Sequence, residues 1–273
     1  ALFDAGDAVV IGDPGYPSYR NTLGALGCEV RRVATGPATR WQPGPEDLGD
    51  AAGMLVASPA NPTGSVLSRD ALAALAAARR ARGAALISDE IYHGLTYEGR
   101  ATSALEVWDG AVAVNSFSKY WSMTGWRVGW MVVPPALVRT VERLAQNLFI
   151  CPSHVGQVAA LAAMDAGEEL EAMHRVYAEN RRLLAEALPK MGLSAFAPPD
   201  GAFYVWVDVS HLTDDSVALC RRLLSEVGVA ATPGADFDPD RGASWLRLSY
   251  AGSTEAIAEG AERLRRWTEG AGR

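Results

Sequence analysis

The stretch AVVIGDPGYPSYRNTLGALGCEVRRV, residues 8–33, decides the fold. Its apolar opening, Ala8 to Ile11, stops at the turn Gly12-Asp13-Pro14-Gly15, and the chain restarts at Pro17. Proline suits a first helical turn, where its fixed φ is already helical and its missing N–H would have had no partner. The helix so begun extends to about Leu26, Gly27 ends it, and a second apolar run follows at 28–33. Strand, helix and strand (8–12, 17–26, 28–33) fit into one short unit, the spacing of an α/β fold with a parallel sheet.

Upstream, Ala1-Leu2-Phe3 and Asp4-Ala5-Gly6-Asp7 read as the end of a helix and a turn, so the chain is expected to open partway through a domain. Downstream, 36–50 is a Gly- and Pro-rich connection, and the pattern then repeats. Met54 to Ala57 is a buried strand, Pro59 to Gly64 a turn, Ser68 a cap, and Leu72 and Leu75 mark the apolar side of the next helix. Ala84 to Ser88, Ala111 to Asn115 and Val128 to Val133 are further strands, the last of open direction. Polar groups sit just past four strands, at Asp13, Ser58 to Asn61, Asp89-Glu90 and Ser116 to Lys119. In a parallel sheet such positions converge on one crevice.

From 135 the chain reads as helices (Leu137 to Leu148, Ser153 to Met164, and 168–188), the last able to bridge two parts of the molecule. Beyond Pro189 the order is strand Phe203 to Val209, helix Ser216 to Val227, strand Trp245 to Tyr250, and helix Thr254 to Trp267. We therefore expect a larger α/β part over 1–164 with a mainly parallel sheet, and an interdomain helix with a smaller α+β part over 165–273.

With 273 residues, 49% of them hydrophobic, the chain can bury a large core. A net charge of −7, without a basic tract interleaved with aromatics, argues against nucleic acid. The most apolar stretch, 144–164, is interrupted by Gln146, Asn147, Ser153, His154 and Gln157, so no membrane span is expected. Cys28, Cys151 and Cys220 lie too far apart for a disulfide framework or a zinc site and are expected as buried thiols of a cytoplasmic protein. His93, His154, His174 and His211 lack ligand-like spacing and are expected to pack, cap or hydrogen-bond locally; no metal is expected. No Gly-x-Gly-x-x-Gly follows the first strand, so a dinucleotide fingerprint is unsupported.

Lys119, in SFSKYWSMTGWRVG at 116–129, is one of two lysines among 25 basic residues. An amine can lose its proton and attack a carbonyl to form a Schiff base, whereas a guanidinium stays charged. Asp89 closes an apolar strand, where a carboxylate either caps the next turn or holds a protonated ring nitrogen in a partly dry site. Tyr92 and Asn61 can donate to a ring oxygen, though Asn61 in SPANPTG also suits a simple turn. Arg127 has a planar fork suited to phosphate, with the Ser116 and Ser118 hydroxyls beside it; a surface arginine is the plainer alternative. Tyr16 offers a ring either to a flat ligand or to turn packing. Arg247 either faces solvent or clamps a carboxylate from its strand.

Taken together, DPGYPSY at 13–19, NPTG at 61–64, SDEIY at 88–92, SFSKYWSMTGWRVG at 116–129 and WLRLSY at 245–250 resemble the class I/II aminotransferases, pyridoxal-phosphate enzymes of fold type I. Their order along essentially the whole chain carries the resemblance. It implies a three-layer large domain and a smaller C-terminal one, with pyridoxal 5'-phosphate bound as a Schiff base on Lys119. It further implies Asp89 at the ring nitrogen, Asn61 and Tyr92 at the phenolic oxygen, Tyr16 stacked on the ring, and Ser116, Ser118 and Arg127 on the phosphate. Arg247, with Asn61, would hold the substrate α-carboxylate, and the freed Lys119 amine would remove the α-proton as an amino group passes from an amino acid to a 2-oxo acid. Family members also carry an amino-terminal arm and a Gly-rich phosphate loop at a helix start, and they dimerise. The full-length protein is thus expected to be a homodimer, and this chain to hold the cofactor weakly and to have doubtful activity of its own. β-Elimination or decarboxylation on the same cofactor, and a nonenzymatic ligand-binding role in a regulator, remain open at this point.

Overall fold

In the computed structural model, which describes residues 1–271, the opening stretch folds as β1 (Ala8–Asp13), α1 (Pro17–Ala25) and β2 (Glu29–Ala34). β1 pairs in parallel with β2 on one side and with β3 (Gly53–Ala57) on the other. Alternation along β1 sends Val9 and Ile11 to one face, under Leu23 of α1, and Val10 to the other, among Met54, Leu72 and Leu86. Both faces are thus covered, as a parallel sheet requires.

α2 (Arg69–Arg82) starts at Ser68, whose hydroxyl accepts the Ala71 N–H at 3.1 Å, and stops at Gly83 in the left-handed region. Its Leu72 and Leu75 are fully buried, each worth about 1.5–3 kcal/mol relative to exposure. β4 (Ala85–Asp89) and β5 (Val112–Ser116) extend the parallel run, and β6 (Gly129–Val132) closes the sheet antiparallel to β5, giving the order β2-β1-β3-β4-β5-β6. This settles the direction that the sequence left open. The segment between β5 and β6 holds one short 3-10 turn and no crossover helix, so the chain returns antiparallel.

α3 (Pro135–Leu148), α4 (His154–Ala163) and the long α5 (Gly167–Ala187) follow. Then β7 (Tyr204–Asp208), α6 (Ser216–Val227), β8 (Thr232–Pro233), β9 (Trp245–Ser249) and α7 (Thr254–Ala271) build a second, antiparallel sheet of order β7-β9-β8. Its core joins Val205, Val207, Leu246 and Leu248 to Leu184 of α5, Leu219 and Leu223 of α6, and Leu264 of α7. The two sheets meet through close backbone contacts. Gly64, at φ +72°, has the Gly201 carbonyl 2.8 Å from where a Cβ would stand, so only glycine fits the NPTG turn.

Three expectations need correction. Residues 1–3 form no helix here, and Phe3 packs over Gly53. The cysteines are free, as expected, but not buried: Cys151 is exposed in the loop after α3, and Cys28 and Cys220 are half-buried. β8 escapes the sequence reading because two residues carry no periodicity. Among the described residues no helix is long and apolar enough to cross a membrane.

Candidate active site

β1, β3, β4 and β5 all end at one rim, and the residues beyond them line a cavity of about 410 Å³. All nine residues singled out from the sequence lie on it: Tyr16, Asn61, Asp89, Tyr92, Ser116, Ser118, Lys119, Arg127 and Arg247. Asp13, expected in the same crevice, turns away. It is buried and paired with Arg32 at 2.9 Å, because β2 lies on that side of β1.

Asp89 ends β4 at the cavity floor. Its Oδ2 accepts the Tyr19 hydroxyl at 2.5 Å and its Oδ1 the Ile91 N–H at 3.1 Å. Burial pushes the carboxyl above the usual carboxylate range, and these two donors only partly offset it. Such a group gains a partner in any cation that enters. Lys119 leaves β5 by a short loop and places Nζ 5.7 Å from the ring centroids of both Tyr92 and Phe203. Burial, then the charges of Arg247 and Arg127, lower the Lys119 pKa below the ordinary lysine value, while Asp89 opposes them. The site therefore eases loss of the ammonium proton, which a nucleophilic amine requires.

Tyr92 is buried, with its hydroxyl 2.9 Å from that of Tyr204, and burial holds its phenol well above the ordinary pKa and so protonated. Asn61, also buried, accepts Arg247 Nη1 at 2.9 Å through Oδ1, which leaves its amide N–H groups as donors. Ser116 Oγ lies 2.9 Å from Ser118 Oγ and accepts the Ser118 N–H at 3.1 Å, so the two hydroxyls form one cluster. Arg127 sits in the left-handed region at φ 56°, with Nη1 on the Thr124 carbonyl at 3.0 Å. A non-glycine residue held there costs free energy.

Tyr16, 45% exposed, meets Tyr19 edge to face at 5.5 Å. A flat, phosphate-bearing aldehyde with a protonatable ring nitrogen fits this donor set at each end. The hydroxyls and Arg127 suit the phosphate, Asp89 the ring nitrogen, Tyr92 and Asn61 a ring oxygen, and Lys119 the aldehyde.

Sequence reasoning missed Tyr19 and Tyr204, which also line the cavity. Tyr19 carries a findable signal, since it stands three residues after Tyr16 on the first turn of α1 and shares its face. Tyr204 carries none, because it reaches the cavity only through strand pairing.

A family model described as aminotransferase class I and II matches residues 1–264. The chain is 48% identical over 275 residues to the valine–pyruvate aminotransferase of Mycobacterium tuberculosis, covering 98% of this chain and 71% of that protein. It is 35% identical to the aspartate aminotransferase of Thermotoga maritima, covering 97% and 70%. Among solved structures, an aminotransferase from Mycobacterium tuberculosis superposes with a TM-score of 0.95 at 48% identity, covering 98% of this chain and 72% of that one.

Proposed function

The chain belongs to the class I and II aminotransferases, and from that premise we propose that it moves an amino group between an L-amino acid and a 2-oxo acid with pyridoxal 5'-phosphate held on Lys119. One observation carries the reading: a lysine amine drawn below its usual pKa lines the same cavity as a half-buried carboxylate, raised above its usual range and held only by a phenol and a backbone N–H. When bound, the cofactor supplies an aldehyde that condenses with amines and a ring that accepts the electron pair left by a departing α-proton.

The residues divide the remaining work. Ser116, Ser118 and Arg127 hold the phosphate, and Tyr16 covers the ring. Asp89 keeps a proton on the ring nitrogen, with Tyr19 and the Ile91 N–H fixing the carboxylate's direction. Tyr92 and Asn61 donate to the ring oxygen. Arg247 clamps the α-carboxylate, which turns the Cα–H toward Lys119. With its amine free, Lys119 Nζ would be the base that takes that proton and gives it back.

In this reading residues 1–164 form the cofactor-binding part and 165–273 the interdomain helix and smaller part. Both named relatives are aminotransferases, which favours amino transfer over elimination, decarboxylation or a regulatory role. Homodimer assembly belongs to the same reading and is supported by the exposed apolar face of α3 and α4. A cytoplasmic location is supported by three free thiols.

The test is to supply pyridoxal phosphate, reduce with borohydride and map the label, then to assay amino acids with oxo-acid acceptors. Valine with pyruvate is the first pair to try, given the 48% identical relative. Label on Lys119 and oxo-acid product are expected; label elsewhere would overturn the reading.

A further inference from the structure

Along β7, alternation places Tyr204 and Trp206 on one face and the core residues Val205 and Val207 on the other. β9 runs antiparallel with Arg247 opposite Trp206, so Tyr204 is the diagonal neighbour of Arg247, within reach of a long side chain. The guanidinium carbon of Arg247 lies 4.2 Å from the centroid of the Tyr204 ring and 4.7 Å from that of Phe237. Two aromatic rings thus fix the plane of the fork. Nη1 and Nη2 are tied to Asn61 and Thr232, at 2.9 and 3.2 Å.

The other end of the same side chain meets the cofactor side of the cavity. The Tyr204 hydroxyl is 2.9 Å from that of Tyr92, and Tyr92 has a single proton to give. An anionic ring oxygen in the cavity draws the Tyr92 proton toward itself, and the Tyr204 proton then fills the vacated acceptor position behind it. With the pair oriented the other way, Tyr92 would spend its proton on Tyr204 and offer the cavity only lone pairs.

We infer that Tyr204 is a positioning residue for both ends of the site: its ring fixes the carboxylate clamp Arg247, and its hydroxyl directs the Tyr92 proton into the cavity. This rests on the roles given to Arg247 and Tyr92 above. It also accounts for a tyrosine at this strand position, since phenylalanine would serve the clamp alone and a non-aromatic residue would serve neither end.

Two measurements test it. Thermal midpoints of the cofactor-free chain report the hydroxyl pair. Tyr204→Phe and Tyr92→Phe each lower the midpoint by about 3 °C, while the double variant falls no further than the larger single drop, because both single changes break the same hydrogen bond. Calorimetric titration with pyruvate, in saturating pyridoxal phosphate, reports the clamp. Arg247→Ala loses binding, Tyr204→Leu weakens it about tenfold, and Tyr204→Phe, which keeps the ring, stays within about twofold of the parent. Tyr204→Met replaces the leucine variant if that chain does not fold. Additive midpoints, or parent-like pyruvate binding by Tyr204→Leu where Arg247→Ala has lost it, overturn the inference. Parent-like binding by Arg247→Ala instead sinks the carboxylate reading, and the midpoint cycle then decides the role of the Tyr204 hydroxyl.

Discussion

An ammonium becomes a nucleophile only after losing its proton, and three features around Lys119 make that easier: a partly dry site, the charge of Arg247 and the charge of Arg127. Removing one charge should therefore move the titration. Arg247→Ala raises the Lys119 pKa, so the acid limb of borohydride trapping against pH shifts to higher pH, whereas Arg247→Lys keeps it near the parent's. Lys119→Arg keeps the charge but cannot release a proton; trapping is abolished and turnover falls on the order of 10²–10⁴. Asp89 has the opposite problem, since burial raises its pKa in the folded chain above that of the unfolded one. The folded state then binds more protons in that window, so the stabilising contribution is present in acid and lost as pH rises through the folded pKa. Asp89→Asn is expected to raise the thermal midpoint of the cofactor-free chain at neutral pH by a few degrees, with the gain vanishing in acid, while turnover falls at least about tenfold. Lys119 is legible in the sequence because lysine is rare here and arginine cannot replace it in Schiff-base chemistry. Tyr204 is not, because it meets Arg247 and Tyr92 through pairings of residues far apart in the chain.

Elements are legible where local chemistry agrees with packing. α2 has a serine cap, apolar residues on one side and glycine at its end, and each feature is used as the sequence implies. Ser68→Ala should cost about 1 kcal/mol, read as a lower urea midpoint at unchanged slope, because the Ala71 N–H then lacks its acceptor. α6 is bounded by Asp215, whose carboxylate accepts two N–H groups, and by Gly228 in the left-handed region. Its limits, Ser216–Val227, coincide with those expected from the sequence. The direction of β6 is not a local property. It depends on what the preceding segment can build, and an apolar run reads the same either way along a sheet.

At the scale of the whole molecule, charge and backbone contacts join the two sheets. Arg241 donates to the carbonyls of Asp13 and Thr35 and pairs with the buried Asp238, while Arg32 bridges Asp13 and Asp240. The acidic groups at this seam are therefore held by guanidinium groups. The opposite flank is a different kind of surface. α3 buries none of its residues, and on α4 Val155, Val158 and Leu161 recur every third position, each more than half exposed. Trp130, Met131 and Val132 of the edge strand β6 are exposed as well. Helices that present apolar faces to water beside an open strand edge form the kind of patch that marks a protein interface. The chain in solution should therefore associate with itself as its concentration rises. Replacing Val158 and Leu161 together by lysine should weaken that association at least about tenfold in sedimentation, by placing charge where apolar burial drives contact. Ala160, which packs inward against Val128, is untouched by that change, so the helical circular dichroism of the variant should match the parent's. Association that persists unchanged in the folded double variant would locate the contact elsewhere and leave this face without the assigned role.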